Sequence, residues 1–454
     1  MNALIARLLV FPLMTLMTSM TSLAAASTPL TLAEAVDRAV GHNAGLRAVH
    51  GTTEAAAAGV ELSRSALLPR LDGTVGAIYT DHPVQVFGLK LLQNDLSGGD
   101  MGLGALKDPA ARADVTARLD LQVPVLDVSS WYVLDAAARG ADAASAGERA
   151  AVAQLVVQVV SIYHGVQLAE ARQSVAHDAV ESARADVSRA RAQAGTGMAT
   201  EADVLGLAAA LAGLEEAALV ASGDATVARA ELARLLDEAD ASGYTLTTPL
   251  DAPPPAVNTA ADPRANHPEL LRADAGLAAA TAAQHSAAAS YLPTVGLSAS
   301  LEGHRESLED AGGRAWMVGG FLRVNLFAGL GDAARHDAAE AEVRRAEAQR
   351  DDAHRSLDVA LRRARLAVGQ AEERTRVSTE AVTHAREAHR LIRTRFENGM
   401  AQSADVLRTQ IAFLEAETHH LAALYARHVA AVQLAAATGE LDATYLSPHG
   451  SMSK

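Results

Sequence analysis

The sequence predicts a mainly helical protein that also contributes strands to a membrane β-barrel. Each chain is expected to carry two copies of one pattern: helix, strand, strand, long helix, helix. Three observations predict this fold class: short motifs that recur along the chain, long alanine-rich stretches, and four strand-length segments with one apolar and one polar face. Aromatic residues make up only 3% of the chain, which suits closely packed helices better than a conventional globular core.

The internal repetition appears as motifs at two offsets. Leu68-Pro69 recurs 224 residues later as Leu292-Pro293, and Gly197-Met198-Ala199 recurs 202 residues later as Gly399-Met400-Ala401. The two offsets differ by 22 residues, so the first copy carries an insert. We place this insert in 82–111, where glycines cluster, and expect it to be an extended loop.

These signals divide the chain into five segments. The start is typical of an export signal, because Arg7 precedes an uncharged apolar run at 8–20 and small residues precede Ser27. At about 13 residues the run is shorter than the ~20 that a membrane-spanning helix needs. The segments are a signal peptide at 1–26, a first repeat at 27–248, a proline-rich connector at 249–264, a second repeat at 265–440 and a C-terminal tail at 441–454.

Each repeat is expected to place two strands before one long helix. A helix of about 69 residues spans about 104 Å, and the two shorter helices of a repeat together match that length. The simplest packing therefore stacks the short helices end to end beside the long one. The predicted strands are about 70–81, 112–125, 293–304 and 314–327. The predicted helices are about 31–67, 128–196, 200–238, 265–291, 328–397 and 401–438.

The alternation within the strands decides between classes of protein. In 112–125, apolar residues occupy the odd positions from Ala113 to Val125, and polar residues occupy the even positions from Arg112 to Gln122. Such strands match those of membrane barrels, which need about 9–11 residues. A soluble sandwich also has alternating strands, but four are too few to cover its core. Four strands also leave open edges that lipid does not tolerate, so neighbouring copies must supply the missing strands.

The composition argues against several functions. The chain has no cysteine, which excludes disulfides, thiol catalysis and a lipid anchor attached through cysteine. A formal net charge of −15 disfavours a nucleic-acid partner. We find no phosphate-binding loop, no Gly-x-Ser-x-Gly turn and no ligand-like spacing among the 16 histidines. We therefore expect no enzyme activity, no cofactor and no bound metal, and no helical membrane span, since no uninterrupted apolar stretch after the signal is long enough.

The order of the elements, the doubled Leu-Pro motif and the two turns that read Gly-x-x-x-x-Ala-Asp-Val-Leu resemble the TolC-like outer-membrane efflux family. Residues 324–329 are similar to that family's strand-to-helix junction, and the similarity covers about 30–440. The resemblance implies a homotrimer in the outer membrane, with a 12-stranded barrel and a helical tunnel in the periplasm. It also implies a passive exit duct for small molecules (drugs, toxic compounds or metal ions), with a periplasmic adaptor and an inner-membrane pump as partners.

The resemblance further implies where the functional residues lie. Asp203 and Asp405 match acidic positions near the family's gate, where three copies of one aspartate would form a ring that favours cations. The alternative is an ordinary acid in the first turn of a helix, stabilised by the helix dipole. Arg408 stands where some members carry a second acid, which favours an Asp405–Arg408 contact instead. The turns expected to dock the adaptor are formed by Gly197, Met198, Ala199, Thr200, Gly399, Met400, Ala401 and Gln402.

Two other functions remain compatible with the sequence. The same duct could serve type I secretion of a polypeptide, because such a lumen presents no cargo-specific signature. A periplasmic coiled-coil scaffold without a barrel could use the same helix spacing. The alternating strands count against the scaffold.

Overall fold

The computed structural model describes residues 28–197, 199–257, 262–309, 311–442 and 445. The expected signal peptide and most of the expected tail lie outside these residues. In chain order the elements are β1 (Thr28–Leu30), α1 (Leu32–His42), α2 (Ala44–Ser65), β2 (Arg70–Thr80), α3 (Pro83–Leu92), α4 (Leu103–Lys107), β3 (Arg112–Leu126), α5 (Val128–Gly195), α6 (Glu201–Leu236), β4 (Tyr244–Leu246), α7 (Pro268–Ala289), β5 (Thr294–Arg305), β6 (Gly313–Arg323), α8 (Gly331–Glu397) and α9 (Ser403–Thr438).

The helices form one layer around the two long helices α5 and α8. The prediction that the protein is mainly helical is confirmed. The 68-residue α5 packs on α2, α6, α7 and α9, and the 67-residue α8 packs on α7 and α9. Helices α7 and α9 therefore lie between the two long ones. This order leaves α8 at one edge of the layer and α2 and α6 at the other edge.

The long strands form a four-stranded antiparallel sheet in the order β2-β3-β5-β6. Its register pairs Leu119 with Leu301 and Leu301 with Trp316, so apolar side chains of neighbouring strands share one face. Asp120 pairs with Ser300 on the opposite, polar face. Within the described residues the outer edges of β2 and β6 have no partner strand. The sheet is thus amphipathic and open at both sides.

The main hydrophobic core lies at the middle of the helical layer, where both termini of the first repeat meet. Strands β1 and β4 pair in parallel there; the sequence did not predict this small sheet. The Tyr163 hydroxyl donates a hydrogen bond to the carbonyl of Leu30 at 2.7 Å and accepts one from the amide of Thr248 at 3.0 Å. These bonds join the long helix α5 to the chain that follows β4.

A stacked histidine pair lies in the same region. The rings of His164 and His428 are 3.8 Å apart between centroids, and both are buried. His164 donates from Nδ1 to Gln167 at 2.8 Å, and His428 donates from Nε2 to the carbonyl of Leu250 at 2.9 Å. Burial and the neighbouring His428 lower the pKa of His164 to about 4, and burial lowers the pKa of His428. The fold therefore holds both rings neutral.

This pair predicts a specific loss of stability in acid. Because the folded-state pKa of His164 lies below its ordinary value, the stabilisation is complete above about pH 6.5 and is lost as the pH falls towards about 4. We expect the melting temperature of the wild type to fall over this interval, and that of His164→Gln to fall less. The exposed His177 lies on the same helix, so His177→Gln should follow the wild type. Equal acid sensitivity of both variants would contradict the assignment.

Two predicted boundaries are wrong. The helix expected at 31–67 is broken at Asn43, whose side chain accepts a hydrogen bond from the amide of Leu46 and donates one to the carbonyl of Leu235. An asparagine that caps a new helix in this way ends the preceding one. The strand expected at 314–327 ends at Arg323, because Arg323 pairs with Thr294, the first residue of β5, and no residue of β5 remains to pair beyond it. The backbone then turns at Gly329 and Leu330, which both have positive φ, and α8 begins at Gly331.

The insert at 82–111 was predicted to be an extended loop and is instead partly helical. Pro83 occupies the first turn of α3, a position that proline favours. A short 3-10 helix at Gly98–Met101 and the five-residue α4 follow. The glycine cluster led to the prediction of a loop throughout the insert. Most of these glycines lie after the end of α3, so they do not prevent the helix from forming.

Two helices are long and apolar enough to cross a membrane by length and composition. They are α5 and α6, each of which contains an 18-residue stretch that is strongly apolar on average. The expectation of no helical span used uninterrupted apolar runs, whereas alanine-rich helices reach these averages despite scattered charges. Only 6% of the apolar stretch of α6 is buried in the single chain. This part of α6 is therefore available to a partner.

Candidate functional site

The candidate site lies at the two interhelical turns. Gly197 and Gly399 have φ values of 78° and 71°, a conformation that costs glycine least. At the first turn, the Thr200 hydroxyl accepts a hydrogen bond from the amide of Asp203, and the Asp203 carboxylate accepts one from the amide of Thr200. This capping box fixes the start of α6. Met198 lies outside the described residues.

The second turn has a different cap. Gln402 precedes α9 and makes no side-chain capping bond. The next residue, Ser403, instead donates from its hydroxyl to Oδ1 of Asp203 at 2.6 Å. This bond joins residues 200 positions apart and holds the start of α9 against the start of α6. The hydrogen bonds of Ser403 and Thr200 together lower the pKa of Asp203 to about 2, so its carboxylate is ionised at neutral pH.

The other two predicted residues form a local pair. Oδ1 of Asp405 lies 3.4 Å from Nη1 of Arg408, one turn further along α9. The Arg408 side chain is 77% exposed, so this contact contributes little to stability. The hydrogen bond between the starts of α6 and α9 therefore runs from Ser403 to Asp203 and does not involve Asp405.

A small apolar cluster supports the turns. Val187 and Ala190 of α5 pack with Leu207 of α6, and Leu407 of α9 packs against them. Val406, the neighbour of Asp405, is fully buried. Helices α5, α6 and α9 therefore share one packed layer close to the turns.

A buried ion cluster lies just beyond this layer and was missed by the sequence reasoning. Asp186 of α5 is fully buried, and its Oδ1 lies 2.9 Å from Nη2 of Arg189 and 3.6 Å from Nη2 of Arg393. Glu397, at the end of α8, also pairs with Arg189. The cluster thus joins the ends of both long helices.

The charge of Asp186 depends on these arginines. Burial raises the pKa of Asp186, whereas Arg393 and Arg189 act to lower it. Its second oxygen, Oδ2, has no hydrogen-bond partner among the described residues. The sequence does contain a sign of this buried acid. Asp186 is a lone carboxylate among Ala183, Val187 and Ala190 on the packed face of α5.

The described residues contain no group of three or more histidine, aspartate or glutamate side chains that could hold a metal ion. The contacts beside the turns join the two hairpins and include the hydrogen bond from Ser403 to Asp203, the apolar cluster and the ion cluster around Asp186. Such contacts can hold two helical hairpins together, and breaking them would allow the hairpins to separate.

Comparison with known proteins connects this architecture to a family. The family model described as outer membrane efflux protein matches residues 35–238 and 261–440. The chain is 30% identical over 441 residues to Protein CyaE of Bordetella pertussis, covering 91% of this chain and 84% of that protein.

Solved structures share the fold. A membrane protein from Pseudomonas aeruginosa superposes with a TM-score of 0.76 at 23% identity, covering 90% of this chain and 93% of that one. The Campylobacter jejuni CmeC outer membrane channel superposes with a TM-score of 0.79 at 16% identity, covering 90% of this chain and 85% of that one.

Proposed function

The chain belongs to the outer membrane efflux protein family, and we propose that three copies of it form a channel that is the passive exit duct of a tripartite efflux system. The observation that carries this proposal is the amphipathic four-stranded sheet with two open edges. Three such sheets joined edge to edge, β6 of one copy beside β2 of the next, make a closed barrel of twelve strands. Closure gives every edge strand its hydrogen-bond partners, which the lipid phase requires.

The two faces of the sheet support this orientation. Leu301, Trp316 and Val318 lie on the apolar face and are at least half exposed in the single chain. A face of this kind suits contact with lipid, while the polar face would line the lumen. The helices leave the sheet at one end and would extend into the periplasm.

The helical layer supports association at its edges. On α8, Val359 and Leu366 are seven residues apart and exposed, and on α6, Val220 and Val227 have the same spacing and exposure. Exposed apolar residues at heptad spacing are typical of helices that pack on a partner. We assign the α8 edge of one copy to the α6 edge of the next, which also accounts for the exposed apolar stretch of α6.

The family's partners supply energy and direction. Its members are the outer-membrane components of systems that include an adaptor and an inner-membrane pump. We assign docking of the adaptor to the two turns at 197–200 and 399–402. The contacts beside these turns, from Ser403 to Asp203 and around Asp186, would then hold the periplasmic end closed.

Removal of the Ser403 hydroxyl is expected to loosen this end. Ser403→Ala deletes the hydrogen bond that holds the start of α9 to the start of α6, so we expect a higher conductance in a planar bilayer than for the wild type. Because that bond and the bonds of Thr200 together lower the pKa of Asp203 to about 2, their contribution is present above about pH 4 and is lost as the pH falls towards about 2. Thr394→Ala is a control, because the Thr394 hydroxyl, close to the end of α8, donates to the carbonyl of Arg390 in its own helix. Equal conductance of all three proteins would contradict the role of Ser403.

A deletion tests the function in cells. We expect loss of the chain to raise sensitivity to drugs, dyes or metal ions, and expression of the intact chain to restore resistance. Unchanged sensitivity together with loss of one secreted polypeptide would instead assign the duct to protein secretion. A protein that is soluble without detergent would favour the coiled-coil scaffold.

A further inference from the structure

The insert of the first repeat lies on the polar face of the sheet. Helix α3 packs on β3, β5 and β6, and its Val86 and Leu89 are both buried. The insert joins the ends of β2 and β3 that lie away from the helices, because α2 leads into β2 and β3 leads into α5. It therefore occupies the far end of the sheet.

Buried polar contacts fix the insert in this position. Gln93, directly after α3, donates from Nε2 to the carbonyl of Ala113 at 2.8 Å and to Oδ1 of Asp114 at 2.9 Å. Its Oε1 accepts a hydrogen bond from Nε of Arg112. Asp114 also lies 2.8 Å from Nδ1 of His304 on β5. The Gln93, Arg112, Asp114 and His304 side chains are all at least nine-tenths buried.

The ends of the two hairpins are joined through Arg112. Its Nη2 pairs with Asp95 of the insert and lies 3.0 Å from Oε2 of Glu306, which follows β5. Buried polar groups that bond to one another hold one arrangement, since a lost partner leaves a buried group unpaired. In this set, Nε2 of His304 has no hydrogen-bond partner among the described residues. These contacts therefore hold the insert in a fixed position against the sheet.

We propose that residues 83–107 form a constriction inside the outer end of the channel and set the size limit for solutes at that end. This inference rests on the proposed function, because the polar face is the lumen only in the closed barrel. A barrel of about eight strands is filled by its own side chains, whereas 16–18 strands leave an aqueous channel. Twelve strands lie between these limits, so three helices, each about 10 Å wide, must narrow the lumen considerably.

A glycine in β6 offers a way to move the insert. A Cβ atom on Gly313 would lie 1.9 Å from the carbonyl oxygen of Leu92, at the end of α3. This is shorter than any van der Waals contact, and the obstacle is backbone, so Gly313→Ala must displace the insert. Gly319 lies on the same strand and the same face, and a Cβ there meets its nearest atom at 3.8 Å. Gly319→Ala is therefore a matched control.

The test uses the absence of cysteine from the chain. Ser300→Cys places one thiol on the polar face of β5, and maleimide-polyethylene glycols of increasing size are added to the outer side of the purified, membrane-embedded protein. With an intact constriction we expect only small reagents to react. Adding Gly313→Ala, or replacing 83–107 by a glycine-serine linker, should abolish the size limit, whereas Gly319→Ala should retain it. Access from this side does not depend on the periplasmic end.

Three outcomes are distinguishable. A size limit that Gly313→Ala and the linker abolish supports the constriction. A trimer whose size limit is the same in all variants overturns the constriction and leaves the channel intact. Rapid labelling by every reagent in a protein that does not form trimers overturns both the channel and the constriction.

Discussion

Replacing both arginines beside Asp186 is expected to destabilise the assembled protein strongly. In Arg189→Ala/Arg393→Ala, the Asp186 carboxylate stays buried and loses both cations. Breaking a buried ion pair from one side typically costs about 3–5 kcal/mol. We expect a clear fall in the melting temperature of the protein in detergent at neutral pH. A higher conductance should accompany it, since the cluster joins the ends of α5 and α8.

The rescue variant separates charge from packing. Asp186→Asn removes the buried charge, so the triple variant should recover most of the lost melting temperature. Asp186→Asn alone should cost less than the double arginine variant, because Arg189 and Arg393 are each 31% exposed and can turn to water.

The pH dependence has a definite sign. Because burial raises the pKa of Asp186, its ionisation opposes folding at neutral pH, and this opposition fades as the pH falls from the raised pKa towards the ordinary aspartate value. The defect of the double variant should therefore shrink on acidification. A defect that is independent of pH and not rescued would show that Asp186 acts through shape alone.

A charge on the apolar face of the sheet should have the second large effect. Leu301 lies on the central strand β5, 50% exposed, and Leu301→Arg would place a guanidinium in lipid. Such a substitution costs about 2–4 kcal/mol at the midplane of a membrane barrel, and a trimer would carry it three times. We expect Leu301→Arg to prevent insertion into the outer membrane, as measured by membrane fractionation.

The adjacent residue supplies the control. Ser300 pairs with Asp120 on the polar face, where an arginine would meet water and an acid. Ser300→Arg should therefore insert normally. If Ser300→Arg fails while Leu301→Arg inserts, the lumen and the lipid are on the opposite faces from those proposed.

The sequence predicted elements whose patterns are regular and local. The alternation from Ala113 to Val125 is a property of one strand, and the observed register places these side chains on one face. The family resemblance is also confirmed by the family model. Features that depend on distant residues were missed: the break at Asn43 depends partly on Leu235, and α3 gains stability from packing on the sheet.

In the candidate site, too, local features could be predicted from the sequence and contacts between distant residues could not. Asp203 could be found from its motif, and the contact of Asp405 with Arg408 spans three residues. The partner of Asp203 could not be found, because Ser403 is 200 residues away and its hydroxyl carries no sequence signal. The Asp186 cluster was missed for a similar reason, since Arg189 of α5 and Arg393 of α8 resemble the other arginines along these two helices.

The most direct test of the channel is the mass and conductance of the detergent-extracted mature protein. We predict that extraction requires detergent, that the mass corresponds to three chains, and that the trimer gives stable conductance in a planar bilayer. A protein that is soluble without detergent, monomeric and never conducting would contradict the account and leave a coiled-coil scaffold in its place.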